Sequence, residues 1–281
     1  MANTNVPTMQ ELLDAGVHFG HKVARAHPKM KEYIFGARDG VSVLDLAKTE
    51  ERLKEAAEAA YAFGKSGKVL LVVGTKKQAK EIIEPLAKEA EAPYLTERWI
   101  GGTLTNFEEI RKNIKRILGL KTDQEKGNLS HYTKKERLLI TRQVEKFEKE
   151  LGGIADMEKL PDGIFVVDAV SDMTAVKEAY RIGITVFGLS DTNADPSWFN
   201  YPVPANDDGI KSIKIICETV LGAYAQGRKQ AGVDAKKAAD DAVAAEQAAK
   251  EEQLNAAVAE EAAVLEEQIE KKILEESERK E

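Results

Sequence analysis

The sequence predicts an α/β fold with a parallel, doubly wound sheet, and three observations carry that reading. Val69–Val73 is a continuous β-branched and apolar run, as a strand covered on both faces requires. Ile164–Val167 and Thr185–Leu189 repeat the pattern further along. Amphipathic segments alternate with these runs over short links, the order that a crossover-connected parallel sheet demands.

The elements follow in chain order. Thr8 and Glu11 have capping-box spacing, so a short helix runs from there to a stop at Gly16. Residues 17–40 read as a loop-rich basic segment. Val41–Leu46 alternates like a half-buried strand, and Thr49 caps an alanine-rich helix to about Phe63, ended by Gly64 and Gly67. After the 69–73 strand comes a helix over 76–90, which Pro85 should kink. Beyond residue 160, helices are expected at 174–182 and 210–225, with a short strand at Val203-Pro204.

Residues 105–150 interrupt the alternation. Phe107, Ile110, Ile114, Ile117 and Leu118 recur at helical spacing behind a Thr105–Glu108 capping box. A polar break near Gly127 leads to a second helix carrying Leu138, Leu139, Val144 and Phe147. The pair predicts a protruding, coiled-coil-like helical hairpin. The expected organisation is an α/β domain over 1–104 and 151–229, with an N-terminal helix and basic loop at 1–40. The hairpin is inserted at 105–150. An Ala/Glu-rich, helical acidic extension occupies 230–281.

Charge distribution narrows the function. The 281 residues carry a net charge of −7, yet residues 230–281 alone hold 7 basic and 15 acidic residues. The remainder is nearly balanced, and 98–149 hold 13 basic and 7 acidic residues. Acidity is therefore a property of the extension, and cationic patches survive elsewhere. No apolar run approaches the ~20 residues of a membrane span, and the N-terminus lacks the pattern of a signal peptide. Cys217, the only cysteine, lies in an apolar run and reads as a buried small hydrophobe. A cytoplasmic protein is expected.

Two blocks carry the chemistry. Gly16-Val17-His18-Phe19-Gly20-His21 and the residues up to Arg38 mix small, aromatic, imidazole and cationic side chains without an apolar period. Arg98-Trp99-Ile100-Gly101-Gly102 leads into the hairpin. Cations meet phosphates and flat rings stack on bases, so both blocks read as RNA-facing. The candidate contacts are Lys22, Arg25, Lys29, Lys31, Arg38 and Arg98, with Arg111, Lys112, Lys115, Arg116, Lys134, Lys135, Arg137 and Arg142 on the hairpin. Trp99 reads as buried. Reversing charge at Arg111, Lys112 and Arg116 is expected to weaken RNA binding and its salt dependence.

Other chemistries have less to stand on. Val73-Gly74-Thr75-Lys76-Lys77 follows a strand and opens a helix, but lacks the earlier glycine of a phosphate loop. A tight turn is the simpler reading. A metal site using His18 with Asp191, Asp207 and Asp208 is conceivable but not favoured. No nucleophile elbow or activated cysteine is present in the sequence.

The motifs GVHFGH, HPKMKEYIFGARDGVSVLDLAKT, VLLVVGTKKQA, RWIGGTLTNF, LPDGIFVVDA, GITVFGLSDTNADP and PANDDGIKSI occur in one order between Thr8 and Gly227. That set resembles the bacterial small-subunit ribosomal protein S2 family. The resemblance implies a Rossmann-like α/β domain with a projecting helical hairpin. It also implies a non-catalytic role without cofactor, at the head–body junction of the small ribosomal subunit. The implied partners are small-subunit ribosomal RNA and neighbouring ribosomal proteins, including the large messenger-binding one. Neither a membrane nor a homo-oligomer is expected. The chain departs from the family pattern at Lys22–His27, where an arginine and a tryptophan usually stand. The acidic extension is expected to be dispensable for ribosome assembly. Two rivals remain: an enzyme binding a nucleotide or sugar phosphate near Gly74 and the Asp191–Asp195 loop, and a free RNA-binding regulator.

Overall fold

The computed structural model describes residues 6–234, so the expectations for the acidic extension from 235 onward lie outside the described residues. Its frame is a five-stranded, all-parallel sheet in the order β5-β4-β6-β7-β8. The strands are β4 (Leu70–Val73), β5 (Tyr94–Leu95), β6 (Gly163–Val166), β7 (Thr185–Ser190) and β8 (Tyr201–Pro204). Every residue of β4 and β6 is buried, which is why their sequences run apolar without alternation.

Side chains alternate across the pleat and build two cores. Leu70, Val72, Phe165 and Phe187 pack with α2 (Leu46–Lys65), α3 (Lys77–Glu89) and the helix at 210–234, here α7. Leu71, Val73, Ile164 and Val166 pack with α4 (Phe107–Glu125), α5 (Lys134–Leu151) and α6 (Met173–Ile182). Helices thus cover both faces of the sheet, as the α/β reading requires. Cys217 is buried within the first core. Among the described residues, no helix is long and apolar enough to cross a membrane.

Several local expectations are corrected. Residues 17–40 are not mainly loop: β1 (Phe19–Lys22) and β2 (Ile34–Arg38) flank β3 (Val41–Leu44) in a three-stranded antiparallel sheet. Register shifts interrupt both pairings, so the period-2 signal is broken in the sequence. The α2 cap is Asp45, whose carboxylate accepts from the Ala47 N–H. Thr49 is buried inside the helix and donates to the Pro204 carbonyl at 2.7 Å. Thr105 makes no capping box, because its hydroxyl donates to Glu178. The capping box belongs to α5, between Thr133 and Glu136. Pro85 lies within α3 without ending it, on an exposed position where water can serve the carbonyl it leaves unpaired.

Gly64 does not stop α2; it lets α7 approach. A Cβ on Gly64 would lie 2.2 Å from the Tyr224 carbonyl oxygen, and one on Gly227 would lie 2.2 Å from that of Tyr61. Backbone meets backbone from both sides, so neither helix can yield by a rotamer change. Gly64→Ala is expected to lower unfolding stability by roughly 2–3 kcal/mol in urea titrations. A loss under about 0.5 kcal/mol would mean that the crossing readily opens.

Candidate functional site

The chain runs from β4 outward to β5 and then returns past β4 to β6, so strand order reverses at β4, and parallel sheets bind ligands at the carboxyl ends of their strands beside such a switch point. Four of those ends supply charges to one place. Lys76 follows β4, Asp168 follows β6, Asp191 follows β7, and Asp207 and Asp208 follow β8. The Lys76 ammonium stands 2.7 Å from Asp207, 2.7 Å from Asp208 and 3.4 Å from Asp168. Beside it, Asp172 accepts from the N–H and hydroxyl of Thr75.

β1 brings an imidazole to the same cluster. Gly20 permits this, since a Cβ there would lie 2.5 Å from the Thr192 side chain. The His21 N–H donates to the Thr192 hydroxyl at 2.8 Å, and His21 Nδ1 sits 3.1 Å from Asp191. His21 Nε2 lies 3.5 Å from Asp208. Ligand atoms of His21, Asp191 and Asp207 all fall within 4.8 Å of one another. The structure therefore brings His21, and not His18, to the aspartates; the His18 ring instead lies against Phe19, centroids 4.0 Å apart. One imidazole with two carboxylates is a donor set that a divalent ion such as zinc accepts.

The electrostatics follow from burial. Desolvation and the neighbouring Asp191 charge push the Asp207 carboxyl up to about 7. Burial pushes Asp172 up to about 6. Burial opposes the Lys76 charge, but Asp207, Asp208 and Asp168 outweigh it and hold the ammonium protonated. The Asp191 carboxylate close beside it raises His21. The crevice end that could have met a phosphate is thus filled by this chain's own carboxylates, which repel one.

A second polar device holds the entry to α4. Glu178 of α6 is buried and accepts from Trp99 Nε1 at 3.1 Å, the Gly102 N–H at 2.8 Å and the Leu104 N–H at 3.1 Å. It also accepts from the N–H and hydroxyl of Thr105, each at 3.2 Å. Trp99 is buried, as the sequence suggested, with its indole N–H satisfied by this carboxylate.

The cations nominated from the sequence divide into two sets. Lys22, Arg25, Lys31, Arg98, Lys115, Lys134, Lys135, Arg137 and Arg142 are exposed. Arg111 is half-buried, and Arg116 is exposed with a bond to the Asn113 amide. None of these has a carboxylate within 4 Å among the described residues. Lys29 instead bonds Asp195 at 2.9 Å and Ser197 at 2.7 Å. Lys112 pairs with Glu109 one helical turn away, and Arg38 lies 3.8 Å from Asp39. Those last two pairs are fully in water and contribute little. Sequence reasoning did not find Lys76 as the hub or Glu178 as an anchor. The order of the strands makes both, and no local pattern announces them.

A model of the family described as ribosomal protein S2 matches residues 12–227. The chain is similar to the small ribosomal subunit protein uS2 of Wolinella succinogenes, 43% identical over 247 residues, 88% of this chain and 91% of that protein. It is 45% identical to the protein of the same name from Nitratiruptor sp. over 222 residues, 79% of this chain and 83% of that one. The Phocaeicola vulgatus counterpart is 44% identical over 245 residues, 86% and 87% of the two chains.

Proposed function

The chain belongs to the ribosomal protein S2 family, a structural and non-enzymatic one, and on that premise we propose that it is a constituent of the small ribosomal subunit. In this reading it binds ribosomal RNA at the head–body junction, in the cytoplasm. The observation that carries it is the set of exposed cations without carboxylate partners on the 22–31 segment and on α4 and α5. Cations that the chain's own acids leave unpaired raise the local concentration of polyanions, and phosphate contacts supply the bulk of affinity for RNA. The Lys121–Glu148 ion pair and the core residues Ile114, Ile117, Val144 and Phe147 support α4 and α5 as an inserted helical hairpin that displays these cations.

The test is sedimentation of a lysate through a sucrose gradient. The protein should travel with small subunits and whole ribosomes at low salt and leave them at high salt. Recovery only at the top of the gradient would overturn the reading. Reversing Arg111, Lys115 and Arg116 should cut incorporation roughly tenfold or more and flatten its salt dependence; unchanged incorporation would remove the hairpin from the RNA interface.

The same reading includes docking of the large messenger-binding ribosomal protein. Phe35 is 81% exposed on β2 and Phe19 is 53% exposed on β1, so both rings are open to a partner. Phe35→Ala should leave the unfolding midpoint within measurement error and still reduce co-purification of that partner with small subunits. Equal co-purification would exclude Phe35 from the docking surface.

A second reading concerns the crevice. The mutual reach of His21, Asp191 and Asp207 favours a structural divalent cation there. Zinc in slight excess should raise the melting temperature of the purified chain, and His21→Ala should abolish that rise. No rise in the unmodified chain would leave Lys76 as the cluster's sole counter-charge beside His21.

A further inference from the structure

A 3₁₀ turn at Pro196–Trp198 lies between the basic N-terminal segment and α6, touching both. On one side, Pro196 and Ser197 line a cleft with Lys29 and Lys31. On the other, Trp198 meets Tyr180 of α6 edge to face, ring centroids 4.9 Å apart. Tyr180 is 61% exposed, so one partner of this aromatic pair is left open to solvent. Lys177 and Arg181 flank it on α6, both exposed and neither with a carboxylate within 4 Å among the described residues. Glu178 is the only acid within α6, and it is buried and committed to the 99–105 loop. The exposed side of the helix is therefore aromatic and cationic with no anion.

A helix C-terminus attracts cations whatever its function. It does not account for an open tyrosine set against a tryptophan between them. Flat rings beside unbalanced cations are what an unpaired nucleotide recognises, the ring stacking on the base and the cations meeting its phosphates. We infer that Tyr180 and Trp198, with Lys177 and Arg181, form a stacking site for an unpaired nucleotide of ribosomal RNA. The site is joined through the Pro196–Trp198 turn to Lys31 and the basic segment. This rests on the ribosomal reading above and adds a contact that is separate from the hairpin.

The test uses small subunits carrying the full chain. Ultraviolet irradiation followed by protease and nuclease digestion should yield a nucleotide-bearing peptide containing Tyr180 or Trp198. Tyr180→Ala should lower affinity for subunits depleted of this protein roughly tenfold, and Tyr180→Phe, which keeps the ring, should not. Lys177→Glu with Arg181→Glu should reduce the salt slope of binding by about 1.4, the value for two phosphates of a single strand. Normal incorporation with no such cross-link and with neutral α6 variants would overturn this site and leave the ribosomal reading standing. A cross-link from this face to a protein would also overturn it. Failure of the unmodified chain to enter subunits at all would overturn both.

Discussion

Glu178→Ala is expected to lower unfolding stability by about 3–5 kcal/mol. Five donors from Trp99, Gly102, Leu104 and Thr105 converge on this carboxylate. Alanine leaves the buried donors of Trp99 and Leu104 without a partner, and each retains its full desolvation cost, while the part-buried donors of Gly102 and Thr105 lose their anchor. Burial pushes the Glu178 carboxyl up, but the bonds from Gly102, Trp99, Leu104 and Thr105 outweigh it and hold it below the ordinary range. A depressed carboxyl stabilises the fold above its unfolded value of about 4.3 and loses that contribution as pH falls through the folded value. The stability gap between the natural chain and Glu178→Gln should therefore be full at pH 7 and shrink below about pH 4. Urea titrations at several pH values measure this, and a loss under about 1 kcal/mol at pH 7 would sink it. The loop also leads into α4, so the variant should misplace the cations of α4 and, on the proposed ribosomal role, weaken subunit incorporation more than its stability loss alone explains.

The second large effect is expected at Lys76. Lys76→Met preserves length and apolar stem while removing the one ammonium shared by Asp168, Asp207 and Asp208. Asp168 and Asp207 are buried, so the remaining negative charges face one another in a poorly solvated crevice. A loss of roughly 3–5 kcal/mol at pH 8 is expected. Asp207 already titrates near 7 with Lys76 present. Removing the cation raises the carboxyls further, and a raised acid costs stability as pH climbs through its folded value. The defect should accordingly be largest at pH 8 and relax toward pH 5. Melting curves at the two pH values decide the matter: a defect that is equal at both, or larger at pH 5, would contradict this account of the cluster.

The two sites differ in how far the sequence could point to them. The switch-point crevice was reachable in part, since Gly74-Thr75-Lys76 and the aspartates at 191, 207 and 208 all stood out at strand ends. Their mutual distances did not, because four crossovers separate them. His18 and His21 look equivalent in the motif, yet the approach permitted by Gly20 carries only His21 into the cluster. Lys29 and Lys31 likewise look equivalent among the candidate RNA contacts, but Asp195 takes the ammonium of Lys29 from far along the chain.

What the sequence determined by itself is whatever repeats at short range. Continuous apolar runs at 69–73 and 164–167 mark interior strands, because both faces of a central strand are dry. Apolar residues at helical spacing mark α4 and α5, because one side of each must be covered. The strand–helix alternation then permits little besides a parallel sheet, and the ordered motifs place the chain in its family. Tertiary structure alone decided which charges meet, which glycines are contacts rather than stops, and that residues 19–22 and 34–38 pair as strands. Gly64 and Gly227 illustrate the reason: each is unremarkable in its own helix, and only the crossing of the two backbones makes a side chain impossible there. Local periodicity records which face of an element is dry, whereas a partner more than a hundred residues away is fixed only by the path the chain takes between them.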